Sequence, residues 1–269
     1  MQRNVLLARE KGASTWLSAR TLQDHGFVLS KSDFRDAISL RYGWPLQHLP
    51  DTCVCGQAFT TDHALSCPTG GYPSLRHNDL RDFLVGALSE VAQETAIEPP
   101  LQPLSEKTFQ LCSASLDDEA RLDFSARGFW GSRFQVAFFD VRVMNLNAPS
   151  YRHLQPNVLY RRAEQEKERK YGERVRHVEH ASFTPLIFST CGGTGKLATT
   201  FLKRLAAKIS EKRREPYSSV MTWMHCRVAF SLLRSAILCM RGTRRRTRTK
   251  EVDFDDLQPT LAVYQAGLC

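Results

Sequence analysis

The run RFQVAFFDVRV, residues 133–143, is mostly apolar in both of its alternating sets of positions, and an acid, Asp140, stands inside it. A strand with one wet face alternates apolar and polar residues; this one does not. The pattern predicts a long strand buried on both faces, which requires layers above and below one sheet. Alternation places Phe134, Val136, Phe138, Asp140 and Arg142 on one face. An ionised carboxylate at the end of such a strand is costly unless something compensates it.

Two neighbouring segments offer compensation. Upstream, Arg121–Ser125 reads as a strand carrying a second acid, Asp123, with a turn at Gly128 and Gly131 between the two strands. Downstream, residues 158–180 read as a charged helix on which Ala163, Lys167, Lys170, Tyr171 and Arg174 share a face. Two acids on adjacent strands, followed by a helix lysine, are the parts of a metal-dependent phosphodiesterase. Mg²⁺ or Mn²⁺ held by Asp123 and Asp140 would activate water and stabilise charge on the phosphate. Lys167 would orient the water or neutralise the transition state, with Arg142 a second candidate cation. A plainer reading stays open on spacing alone: Asp123 caps a turn, Asp140 pairs with Arg142, and EQEKERK is a solvated helix face.

A second cluster precedes these strands. Cys53, Cys55, His63 and Cys67 form C-x-C-x7-H-x3-C in a turn-rich segment flanked by Gly and Pro. Three thiolates and an imidazole suit tetrahedral Zn²⁺, and a closed four-ligand site is structural. The other reading is a set of reduced thiols with an incidental histidine. All eight cysteines fit metal ligation plus reduced core thiols better than a disulfide framework.

The rest of the chain reads as support. Residues 1–50 form a small helical arm, with KSDFRDAISLRYG capped by Ser30 or Ser32. Residues 51–75 are the zinc knuckle. A helix over 78–94 follows, then an irregular segment or short strand up to Asp118. After the charged helix come a strand over 183–190, a glycine turn CGGTG, and helices over 197–212 and 217–240. Glu90 is read as a surface residue with a lesser claim as an extra metal ligand. The expected organisation is α/β, with the main domain over 76–240 and a basic, weakly ordered tail over 241–269 containing RGTRRRTRTK.

Lys and Arg number 37 against 28 acids, a net charge of +9. That balance favours polyanions, nucleic acid first. CGGTGKLATT fails the phosphate-loop pattern because its glycines are too close and Leu197 follows Lys196. The most apolar segment, Val228–Met240, is broken by Arg234 and is shorter than the ~20 residues a bilayer span needs. With no secretory signal at residue 1, the expectation is an intracellular, non-membrane protein.

Taken together, the CCHC cluster, GGYPSLRHN (70–78), LDF, FFDVRV and the helix with K-x-x-K-Y (167–171) resemble the C-terminal restriction-like endonuclease module of non-LTR retrotransposons. That module is a nuclease of PD-(D/E)XK type. The resemblance covers about residues 51–175. It implies a restriction-endonuclease-like mixed sheet flanked by helices, a nuclear, metal-dependent endodeoxyribonuclease that nicks target DNA, and a parent protein with a reverse transcriptase. DNA, and the element's RNA, are the implied partners. The family's two acids fall on Asp123 and Asp140, its lysine on Lys167 or Lys170, and its Arg-His-Asn stretch on Arg76, His77 and Asn78. Leu122 stands where the family usually has proline, and the CxC spacing is tighter than the usual knuckle. The alternative is a catalytically inactive zinc-knuckle module that binds nucleic acid.

Overall fold

The computed structural model describes residues 2–104 and 115–242. The predicted basic tail lies outside them except for Arg241 and Gly242. In chain order the elements are α1 (Gln2–Ala8), α2 (Thr15–Ser18), α3 (Lys31–Tyr42), α4 (Thr61–Ser66), α5 (Tyr72–Ser89), β1 (Glu94–Ile97), β2 (Phe124–Arg127), β3 (Val136–Met144) and α6 (Pro156–Lys167). A π-helical turn over Glu168–Gly172 follows, then α7 (Glu173–His177), β4 (Ser182–Ser189), α8 (Lys196–Arg213) and α9 (Tyr217–Arg241). The chain divides into two compact units. One comprises residues 1–76, 190–192 and 225–269, the other residues 77–189 and 193–224.

The first unit is helical. Ser30 accepts a hydrogen bond from the Asp33 amide and starts α3, while Gly43 ends it at φ 67, the left-handed conformation a C-terminal glycine supplies without strain. Its core gathers Ala64, Leu65, Tyr72, Ala236, Cys239 and Met240. Arg76, first of the three residues onto which the Arg-His-Asn stretch falls, is buried here and donates to the Leu65 carbonyl at 3.1 Å.

The second unit is α/β, built on a four-stranded mixed sheet of order β1-β2-β3-β4. β1, β2 and β3 are antiparallel neighbours; β4 runs parallel to β3. Residues Ala137 to Val141 of β3 are all buried, as a strand apolar at both sets of positions requires. On one face the rings of Phe124 and Phe139 stack with centroids 4.8 Å apart, and Phe129 and Phe201 of α8 complete the group. On the other face Phe138 packs with Leu122, Tyr171 and Val175. Burying each such ring contributes about 1.5–3 kcal/mol. Pro185 pairs in register with Asp140, and β4 tolerates a proline because it is an edge strand.

Several boundaries differ from expectation. α5 begins at Tyr72 rather than Asn78, because Gly71 accepts the first helical hydrogen bond and Pro73 fits the first turn. It ends at Ser89, and the residues expected to continue it turn back into β1, a strand too short and too exposed to show a periodic pattern. β2 starts at Phe124, so Asp123 sits just before the strand. Phe134 lies outside β3 and is 68% exposed. Asp140 is mid-strand, not at a strand end. The single charged helix expected over 158–180 is α6, a π turn and α7.

Candidate functional site

The cysteine–histidine cluster is built by a tight turn followed by one short helix. Cys53 N donates to Gln57 O and Gly56 N to Cys53 O, both at 2.8 Å, with Gly56 at φ 89 where a side chain would be strained. Thr60 caps α4 by accepting from the His63 amide at 3.1 Å, and Cys67 closes the helix by donating to His63 O at 2.7 Å. His63 and Cys67 are therefore one turn apart on the same side. Cys53 Sγ lies 4.0 Å from Cys67 Sγ, and Cys55 Sγ lies 3.3 Å from His63 Nε2. All four ligand atoms fall within 4.8 Å of one another. Tetrahedral Zn²⁺ with Zn–S bonds of about 2.3 Å sets neighbouring sulfurs roughly 3.8 Å apart, so the cluster can hold a metal ion such as zinc. Among the described residues it is the one group of three or more such side chains that converges this way.

The acid pair lies in the second unit. Phe124 pairs with Phe139 in the β2–β3 ladder, which puts Asp123 opposite Asp140, one step past the last pair. Opposed residues of an antiparallel pair share a face at ~4.5–5.5 Å between Cβ atoms. Asp123 Oδ2 accepts the Val141 amide at 2.5 Å, standing in for the backbone acceptor that β2 no longer supplies. Its other oxygen, Oδ1, is 3.0 Å from His77 Nε2. His77 lies on α5, and pattern alone gave it no chemical role.

Asp140 is 5% exposed. Lys167 Nζ, at the end of α6, is 2.8 Å from Asp140 Oδ2, so the buried carboxylate is paired with an ammonium. Burial raises the Asp140 pKa above the usual carboxylate value; the nearby Asp123 charge adds to this, while Lys167 and His77 oppose it.

The π turn after Lys167 places Tyr171 beneath both lysines. Lys167 Nζ is 5.7 Å and Lys170 Nζ 4.9 Å from the ring centroid. π turns are rare and cluster at functional positions. The turn also changes which residues follow Lys167 around the helix. Arg174, expected on the same helical face, is fully buried and donates to the carbonyls of Gln102, Ser115 and Asp117 at 2.9, 3.3 and 2.5 Å. Its role is to hold those loop ends.

Other candidates have different partners. Arg142 pairs with Glu166 at 2.8 Å, leaving Asp140 to Lys167. Glu90 is held by Arg213, with contacts of 2.6 and 2.9 Å. The start of α8 is closed to phosphate: Glu164 Oε1 accepts the Leu197 amide at 2.9 Å. The acids of EQEKERK have long-range or distant partners, namely Leu197 N, Arg142 and Arg176, in place of the expected solvated ladder.

The sequence matches no protein-family model and no curated protein. No helix among the described residues is long and apolar enough to cross a membrane.

Proposed function

We propose that the chain is a divalent-metal-dependent DNA endonuclease of restriction-endonuclease-like fold, a module of a non-LTR retrotransposon protein. The observation that carries this reading is the opposition of Asp123 and Asp140 across β2 and β3, with Lys167 at 2.8 Å from the buried Asp140. The donor set suits Mg²⁺ or Mn²⁺: two carboxylates on one face, one of them buried in the sheet beside a lysine ammonium. When bound, such an ion supplies a nucleophilic water and charge neutralisation at phosphate. Asp123 and Asp140 would hold it. Val141 N and His77 keep the Asp123 carboxylate oriented, and Lys167 presents a cation beside Asp140. The Cys53–Cys55–His63–Cys67 zinc site is structural. The net positive charge suits a DNA partner, and the element's RNA, a reverse transcriptase in the parent protein and a nuclear location follow from the same reading.

One observation favours the alternative, a catalytically silent nucleic-acid-binding module. Both Asp123 oxygens already have protein partners. Plasmid nicking with Mg²⁺ or Mn²⁺ separates the two. The proposal expects supercoiled DNA to become open circles, with Asp140→Ala abolishing the reaction while DNA retention persists. Wild-type protein that retains DNA but never nicks it selects the silent module.

A further inference from the structure

α6 and the π turn, residues 156–172, carry a charge imbalance that the proposed chemistry does not use. Their acids are Glu164, Glu166 and Glu168, and each is already engaged. Glu164 accepts the Leu197 amide at 2.9 Å, Glu166 pairs with Arg142 at 2.8 Å, and Glu168 pairs with Arg176. The cations are left over. Arg161, Arg162, Arg169 and Lys170 are all exposed, and none has a carboxylate partner among the described residues.

These cations border the acid pair. Arg162, Glu166 and Lys170 recur at every fourth residue and so follow one flank of the segment. Arg142, two residues past Asp140 on the same face of β3, reaches that flank at Glu166. A hydrogen bond to Tyr171 holds the Lys170 pKa above the ordinary lysine value, and the charges of Asp140 and Glu166 add to it. From Arg162 to Lys170 the flank runs about 12 Å, roughly three phosphate steps along one strand of a duplex.

What the segment lacks narrows the partner. Its two aromatic side chains, Tyr160 and Tyr171, are buried, so it offers no ring on which an unpaired base could stack. None of its large apolar side chains is exposed, so it has no apolar face to enter a lipid surface. Cations in a row, without stacking or apolar groups, contact a phosphate backbone and leave base edges unread.

We propose that this flank, from Arg162 to Lys170 with Arg161 and Arg169 beside it, is the backbone contact for duplex DNA and lays one strand across the Asp123–Asp140 pair. The identity of the duplex as substrate rests on the nuclease reading, whereas binding along the flank does not require cutting.

The test is fluorescence anisotropy of the zinc-loaded full chain with short labelled DNA and RNA duplexes, over a range of salt and without magnesium or manganese. The Arg162→Gln/Arg169→Gln double variant is expected to lower the salt slope for DNA by about 1.8, and to weaken binding about eightfold per lost contact near 0.1 M salt. Arg162→Lys/Arg169→Lys keeps the charge and should keep the slope. Lys203→Gln/Lys208→Gln removes the same charge from α8. That helix packs on the Phe139 face of the sheet and the π turn on the Phe138 face, so slope and affinity should stay near wild type. Equal losses in the two Gln double variants overturn the proposal, since net charge alone then accounts for them. An unchanged slope in Arg162→Gln/Arg169→Gln overturns it too, as does a loss confined to the RNA duplex. Wild-type protein that binds DNA through this flank yet never nicks it removes the nuclease reading and supports the binding face.

Discussion

Asp123 faces Asp140 across two antiparallel strands, and Asp123 is fixed there by accepting the amide of Val141, the residue after its opposite number. The arrangement makes the first acid a terminator of the β2–β3 ladder as well as half of a carboxylate pair. A side chain that completes a backbone ladder cannot be exchanged for a neutral one of different shape without opening the strand end.

The raised Asp140 pKa gives a stability prediction. The folded state holds the proton more tightly than the unfolded chain, whose Asp value is near 3.8. The proton is therefore stabilising within that window, and stability is lost as pH rises from about 3.8 through the folded pKa. Metal-free Asp140→Asn should lose less stability than wild type over that rise. Thermal unfolding of both proteins at pH 4 to 8 measures the difference, while the Asn variant loses nicking.

Lys167→Met should behave oppositely. It leaves a buried carboxylate without its cation, a change that costs about 3–5 kcal/mol when a buried pair is broken from one side. Lys167 is partly exposed, so the lower end of that range is expected. The Lys167→Met/Asp140→Asn double variant should recover part of the loss in chemical denaturation.

Cys53→Ser should remove one Zn²⁺ per chain in native mass spectrometry and destabilise the first unit, because a closed four-ligand site contributes its binding energy to folding. A chelator should reproduce the effect on wild type. Protein purified without any bound metal would rule the zinc site out.

Phe139→Ala should destabilise the second unit by about 3–5 kcal/mol, since the ring is fully buried against Phe124, Phe129 and Phe201. Denaturant titration measures this directly.

The legible parts of the fold share a physical pattern. β3 announced itself because two buried faces demand apolar residues at consecutive positions. The cysteine–histidine cluster was legible because its four residues lie within one short stretch of turn and helix, so spacing reports distance. β1 was not legible: four residues, mostly exposed, carry no periodic signal. The start of α5 was masked by glycine and proline, which end helices more often than they open them. The contact of His77 with Asp123 joins α5 to the approach of β2, and no local pattern encodes a meeting of that kind. The π turn also left no mark, because the residues of 168–172 would suit an ordinary α-helix.

That turn makes the segment from Lys167 to Arg174 a ruler with a fixed number of divisions. At one end a lysine must reach a carboxylate in the sheet; at the other a guanidinium must reach three loop carbonyls. A π turn holds one residue more than an α-helical turn, so removing one residue there lets the helix return to its common pitch with both anchors near their places. A one-codon insertion, by contrast, has no regular turn left to absorb it and would swing everything beyond by about 100°, costing one of the two anchorages.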